Sequence, residues 1–345
     1  MCNNWEEGAL DIKQALDRMK ILSAFVQQIK YYALIALIML IRHLPYLIVL
    51  NLFRSFIIIA WLADSYHRTV VAIQIQAALG LKDVRHLVLK VFMNQADIMV
   101  DTIRYAFMGD EEIRSRIVVK GKEHMEEAQA SGRGIMMITG HISNWEILGH
   151  MKKVMGIEFC IMADIRNDPK LEAIVSEIRV RCGATILPPT GTFHMLISEL
   201  KKGKTIGMVI DMRGDQKKDI YCDVFGMPAP TKTAPAFIAL QGNALVMPVY
   251  TIKQGSTYQW YFAKAVDTAQ FGDGDEAVRK LSQFMQSWIA SVVREHPEHW
   301  FWLYSRWLKR SDMRRIIKNK LDFKEYVHRK VEAVLSDQKK ENNDS

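Results

Sequence analysis

The sequence predicts an α/β protein, a mostly parallel central sheet flanked by helices, preceded by a hydrophobic helical region. Three observations carry this. Short apolar runs bounded by Gly, Pro or Asp recur through the second half of the chain, among them GIMMITG, KTIGMVIDM and NALVMPVY, and such runs read as buried strands. Helical stretches separate them, and strands alternating with helices build parallel sheets. Finally, apolar residues crowd between Tyr31 and Ala63, although the mean hydropathy of the whole chain is only -0.03, so the surplus is local.

That crowded run, YYALIALIMLIRHLPYLIVLNLFRSFIIIAWLA, is interrupted by Arg42, Pro45 and Arg54. A helix that crosses a bilayer needs about 20 consecutive apolar residues, so helices lying in the membrane interface are expected rather than a clean crossing. Basic and aromatic residues accompany the run, which favours the interface over the buried hairpin of an ordinary core. From Val70 to about Ala130 the three- and four-residue apolar spacing predicts helix. The strands follow as GIMMITG, IEFCIMADI, ATILPP, KTIGMVIDM, NALVMPVY and YQWYFAKAV. PPTGTFHMLISELKKGK supplies a Thr cap, an amphipathic helix and a stop at Gly203. Asp275 to Arg294 is a long helix closed by Pro297. After Arg310 comes a charged helical tail with a partial apolar face (Ile316, Ile317, Leu321, Val327, Val331, Leu335), expected to fray in DQKKENNDS. The expected organisation is therefore 1–69 membrane-associating helices, 70–310 an α/β catalytic domain, and 311–345 the tail.

Composition narrows the function. With 345 residues, 49% hydrophobic and 24% charged, the chain is neither disordered nor a simple multi-span transporter. A net charge of +8 favours acidic partners. No basic recognition helix, zinc-finger spacing or ribonucleoprotein motif is present, so an anionic membrane surface or acidic substrate is expected and nucleic acid is not. Cys2, Cys160, Cys182 and Cys222 form no CxxC pair, which argues against zinc or redox chemistry and for a reducing compartment. His296 and His299 flank Pro297 without a third ligand nearby, and FGDGDE lacks the preceding strand and glycine spacing of a dinucleotide loop. No metal or cofactor is expected. The first 30 residues carry charges of both signs, unlike a cleavable signal peptide.

The stretch that carries chemistry is RGIMMITGHISNWEILGHM, Arg133 to Met151. Ile135 to Ile138 should be a buried strand, which places His141 at its carboxyl end, where ligands of open α/β sheets collect. Ser143 followed by Glu146 is a capping-box pattern, so a helix is expected from Asn144. Two readings follow. In one, Glu146 merely caps the helix and His141 is a polar turn residue. In the other, the strand–turn–helix corner folds the Glu146 carboxylate back onto the imidazole. The acid then fixes the tautomer, and the free ring nitrogen serves as a general base. GHISN lacks the G-x-S-x-G elbow, which disfavours a nucleophilic serine. Asp211 and Arg213 end a strand on the same edge as His141, and Asp211 is a candidate support for the pair.

TGHISNWE resembles the HX4D/E block of glycerolipid acyltransferase-like enzymes, in the GHxxNWE form of the bacterial lipid A biosynthesis acyltransferases. IRNDPKLEAIVSEIRVRCGATILPP is similar to that family's arginine-bearing segment, and LISELKKGKTIGMVIDMRGD to its helix–Gly–strand–Asp block. VFGMPAPTKTAPAFIALQGNALVMPVY and the closing HPEHWFWLYSRWLKR are also similar, so ordered blocks cover roughly Tyr31 to Arg310. The resemblance implies a glycerolipid acyltransferase-like fold with His141 as general base and Glu146 as its orienting acid. It implies transfer of a fatty acyl chain from acyl carrier protein to a hydroxyl of a lipid A precursor, on the cytoplasmic face of a bacterial inner membrane. Arg166 matches the family's arginine, a candidate for the oxyanion or an acceptor phosphate. Asn144, Asp211 and Arg213 are the remaining substrate-site candidates. Two alternatives stay open: a phosphatidylinositol mannoside-type or other glycolipid acyltransferase using acyl-CoA, and a non-catalytic membrane-binding protein on the same scaffold.

Overall fold

The structure, a computed structural model, describes residues 26–162, 169–187 and 192–343. The crowded apolar run forms two helices, α1 (26–43) and α2 (Tyr46–Ala63), separated where Pro45 withholds a backbone donor. The Asp64 carboxylate accepts from the His67 N–H at 3.0 Å and so starts α3 (Ser65–Leu79), which Gly80 ends at φ 69°. Then come α4 (Arg85–Ala106), α5 (Asp110–Arg116), β1 (Ile117–Lys120) and α6 (Lys122–Ala130). Strand β1 interrupts a stretch whose spacing predicted helix throughout; Ile117-Val118-Val119 is β-branched and pairs with a strand far along the chain.

β2 (Ile135–Thr139) leads into a 3-10 turn (Trp145–His150) and α7 (Met151–Met155). There follow β3 (Phe159–Met162), α8 (Pro169–Cys182), β4 (Thr185–Leu187), α9 (Thr192–Lys201) and β5 (Thr205–Val209). A hairpin of β6 (Ile220–Val224) and β7 (Met227–Thr231) precedes α10 (Ala234–Gln241). The chain continues through β8 (Leu245–Gln254), β9 (Thr257–Phe262), β10 (Val266–Asp267), α11 (Gly274–Glu295), α12 (Arg310–Asn319) and α13 (Phe323–Asn343).

The main sheet has the order β1-β9-β8-β2-β5-β3-β4, with β10 beside β8. Every pairing from β8 through β2, β5 and β3 to β4 is parallel, as is β1–β9. The exceptions are β10 and the β8–β9 hairpin, whose two-residue turn opens with Gly255 at φ 61°. Along β2 the side chains alternate between faces. Met136 and Ile138 join one core with α3, α9, α10 and α11, whereas Ile135 and Met137 join the other with Trp260 and Phe262. At Gly207 on β5 a Cβ would lie 2.1 Å from the Phe159 ring, so glycine is what lets β3 and β5 pack.

A third cluster holds α2 along α4. Val49 and Phe53 pack with Ala96, Val100 and Ile103, and the Arg54 guanidinium pairs with Asp97 at 3.1 Å. The opposite face of α2 is bare: Leu47 is 67% exposed, Phe56 65% and Ile59 64%. The tail is docked rather than free, since Met313, Ile316, Phe323 and Val327 enter the main core. Helix α13 runs on to Asn343, and Gln338 donates to the Lys217 carbonyl at 2.6 Å.

Candidate active site

Parallel register builds the site. Thr139 on β2 lies beside Val209 on β5, and the Ile210 N–H donates to the Thr139 carbonyl at 2.9 Å. Position 211 is thereby brought alongside position 141 at the carboxyl edge of the sheet. Asp211 accepts twice from His141, from ring Nδ1 at 2.6 Å and from the backbone N–H at 2.8 Å. Its Oδ2 also accepts from Trp300 Nε1 at 2.7 Å. Gly140 makes room, because a Cβ there would come within 2.9 Å of Asp211 Oδ2 and 2.8 Å of Ile289.

The closing HPEHWFW segment locks the turn that carries His141. Ile142 bridges Trp300. Ser143 N–H donates to the His299 carbonyl at 2.8 Å, and Phe301 N–H to the His141 carbonyl at 3.0 Å. Trp145 stands edge-on to the imidazole at 4.5 Å between centroids. Nδ1 is thus occupied, while Nε2 has no hydrogen-bond partner among the described residues. Burial alone would push the imidazole pKa down. The Asp211 charge and hydrogen bond, helped by the Glu146 charge, more than reverse this and hold it above its ordinary value. Burial likewise works to raise Asp211, but the imidazole, Trp300 and the His141 amide hold its carboxyl below the usual range.

The expected hydrogen bond between His141 and Glu146 is not formed. Glu146 pairs instead with Arg179 of α8, at 2.6 Å to Nη2 and 3.0 Å to Nε, and reaches the imidazole only through its charge. Ser143 has φ 49° and no capping box forms, so the helix expected from Asn144 is a 3-10 turn from Trp145. Asn144 is fully buried and ties α4 to β8: its Oδ1 accepts from Thr102 and its carbonyl from Thr251, both at 3.0 Å. Arg213 turns away from His141 and donates to the carbonyls of Ser305 and Leu308. Arg166 lies outside the described residues. Sequence reasoning did not single out Arg179 as a partner for Glu146, because 33 residues separate them. Nor did it single out Trp300, which is buried and donates to Asp211.

On the β8 side of His141 a cavity of about 530 Å³ opens between α2, α4 and the β8–β9 turn, with Ser143, Asn94, Arg54, Asp97 and Lys253 in its wall. Lys253 reaches Asp97 at 2.6 Å, Asp101 at 2.7 Å and the Tyr46 hydroxyl at 2.8 Å.

The family model described as bacterial lipid A biosynthesis acyltransferase matches residues 18–309. The chain belongs to this family. Among curated relatives, it is similar to the phosphatidylinositol mannoside acyltransferase of Mycobacterium tuberculosis, 24% identical over 195 residues, covering 55% of this chain and 60% of that protein. It is also similar to the lipid A biosynthesis palmitoleoyltransferase of Escherichia coli K12, 22% identical over 214 residues, covering 61% and 68%. The match thus spans about 60% of the length of the mannoside acyltransferases. Among solved structures, the 1-acyl-sn-glycerophosphate acyltransferase of Thermotoga maritima aligns at TM-score 0.36 and 16% identity, over 73% of this chain and 97% of that one. That likeness is too distant to inform fold or site. Within the family, the HX4E acid of this chain is an arginine partner, and the acid on the imidazole comes from the end of β5.

Proposed function

We propose that the protein is an O-acyltransferase that moves a fatty acyl chain from an activated thioester to a hydroxyl of a glycolipid at a membrane surface. One observation carries this reading: the Nδ1 of His141 is held by the buried Asp211, which directs the lone pair of the neutral imidazole to Nε2 at the sheet edge. Nε2 takes the hydroxyl proton as the oxygen attacks the thioester carbonyl. The tetrahedral intermediate then expels the thiolate, which leaves with that proton. Asp211 stays ionised and stabilises the imidazolium between the two steps. No covalent enzyme intermediate is formed. We retain Arg166 as the candidate that meets the oxyanion.

The family favours a lipid A precursor as acceptor; acyl carrier protein is the donor the sequence resemblance implies, and a chain of net charge +8 would attract so acidic a carrier. The phosphatidylinositol mannoside acyltransferase relatives favour a mannoside acceptor as the second reading, with acyl-CoA as the alternative donor left open by the sequence. Mass spectrometry of lipids from cells lacking the protein separates them: loss of one acyl chain from lipid A is expected, and an unchanged lipid A removes that acceptor. Comparing acyl-CoA with acyl carrier protein in the purified reaction settles the donor.

Membrane attachment is assigned to α2. It is long and apolar enough to cross a bilayer by length and composition, with 17% of it buried. Yet it is docked along α4 and pinned by the Arg54–Asp97 pair, so we place it in the plane of the interface, bare face down. Phe56→Asp should weaken co-sedimentation with anionic vesicles by about tenfold or more, the cost of burying a charge in place of a ring. Undiminished sedimentation would show that another surface binds lipid.

The pH profile follows from the shift on His141. Only the neutral imidazole accepts a proton, so the rate should rise with pH through a value above the ordinary 6.5. Glu146→Gln removes a charge that raises that value, and leaves Arg179 less compensated, so the acidic limb should move to lower pH. An unmoved limb would mean that Glu146 does not act on the base.

A further inference from the structure

We infer that helix α12 binds anionic lipid headgroups and, with the bare stripe of α2, sets how the protein sits on a negatively charged bilayer. This rests on the interfacial placement of α2 above and adds a second, electrostatic contact. The family model ends at residue 309, so α12 and α13 lie beyond the matched segment.

Helix α12 has two faces. Asp312, Met313 and Ile316 are buried, the latter two in the main core. Arg310, Arg314, Arg315 and Lys318 are exposed, and at about 100° per residue they fall within an arc of about 140°. The single acid of the helix, Asp312, faces inward: it pairs with Lys330 of α13 at 3.5 Å and accepts from the Tyr326 hydroxyl at 3.1 Å. Among the described residues, no carboxylate forms an ion pair with any of the four outward cations. Helix α13 differs, since its exposed side chains mix Lys324 and Arg329 with Glu325, Glu332 and Asp337. A one-sided group of unpaired cations repels itself, and a negative surface relieves that repulsion.

Position joins this charge to the apolar stripe. The stripe runs through Phe56 and Ile59 to Leu62, which is 61% exposed near the carboxyl end of α2. Just beyond, at the start of α3, the Tyr66 ring carries two guanidiniums of α12, Arg310 at 5.4 Å and Arg314 at 6.0 Å. Arg68 adds a third cation here, donating to the Leu62 carbonyl at 2.7 Å and standing over the Trp61 ring at 5.1 Å. Asp64, the acid beside them, is held by His67 at 2.5 Å. Apolar side chains continued by arginines and two large aromatics match a lipid surface, with acyl chains under the stripe and phosphates under the cations. A folded acidic protein would satisfy the cations alone, whereas a bilayer meets both surfaces at once.

The test is co-sedimentation of the full chain with phosphatidylcholine vesicles, with and without phosphatidylglycerol. The parent should bind the phosphatidylglycerol vesicles more tightly, an advantage that salt erodes. Arg315→Gln/Lys318→Gln leaves both Tyr66 contacts in place. It should weaken that binding about tenfold or more, while binding to phosphatidylcholine alone stays as in the parent. Lys201→Gln/Lys202→Gln removes the same charge at the end of α9 and should weaken it far less. Thermal unfolding curves matched to the parent show that both variants are folded. Parental binding by Arg315→Gln/Lys318→Gln, the result if this face instead serves an acidic protein, overturns the proposal. So does an equal loss in Lys201→Gln/Lys202→Gln, which would make total charge the cause. Phe56→Asp should weaken binding to both kinds of vesicle, so a failure of the α2 placement and a failure of this proposal show in different variants.

Discussion

His141→Ala should lower the rate of acyl transfer by about 10²–10⁴-fold, the usual contribution of a positioned general base. The Ala variant also strips Asp211 of the ring that holds its charge, and so loses some stability. His141→Gln controls for this, because its amide can still donate to Asp211 while offering no basic nitrogen. It should fold like the parent and be equally inactive. Steady-state transfer with matched thermal unfolding curves checks both. A Gln variant that transfers at the parental rate would remove the imidazole from the chemistry.

The largest expected stability effect is at Arg306. This side chain is 1% exposed. It donates to the Pro230 carbonyl, to Thr231 Oγ1 at 2.7 Å and to Gln286 Oε1 at 3.1 Å, joining the β6–β7 hairpin to α11. Its backbone N–H donates to Gln74 Oε1 at 3.2 Å, and Gln74 returns a bond to the Trp302 carbonyl at 2.9 Å, which brings in α3. Burial pulls the guanidinium pKa down to about 10, still charged at neutral pH. Arg306→Ala removes three buried hydrogen bonds and opens a cavity. It leaves Gln286 Oε1 without a partner, while the Pro230 carbonyl keeps the Gly214 N–H and Thr231 keeps its bond to Ala229. The change should cost about 3–5 kcal/mol. Arg306→Met refills the volume but not the bonds, and should recover only part. Urea unfolding midpoints measure both, and a loss below about 1 kcal/mol for the Ala variant would contradict this network.

The sequence made the β2 strand, the place of His141 at its end and the shared edge with Asp211 legible, because apolar runs with Gly or Asp boundaries report buried parallel strands directly. What it misassigned was the partner of the imidazole. Spacing along the chain pairs His141 with Glu146, whereas sheet register pairs it with Asp211, 70 residues away. The turn at Ser143, with φ 49°, carries the Glu146 carboxylate to Arg179 instead. Trp300 was hidden for a similar reason: a buried aromatic reads as core, and its indole N–H finds the carboxylate only through the bridge between Ile142 and the closing segment. The two-residue Gly255-Ser256 turn between β8 and β9 was a readable hairpin signal. Strand β1, four residues inside a helical texture, carried too little pattern to be found.

The tautomer of His141 bears most directly on the account. With ¹⁵N-labelled histidine, long-range proton–nitrogen correlation above the imidazole pKa should show a protonated Nδ1, its hydrogen shifted downfield by the carboxylate, and a bare Nε2. In Asp211→Asn the downfield proton should be lost, whereas in Glu146→Gln it should remain. A proton on Nε2 in the parent, or a downfield Nδ1 proton that vanishes with Glu146 and survives the loss of Asp211, would contradict the account.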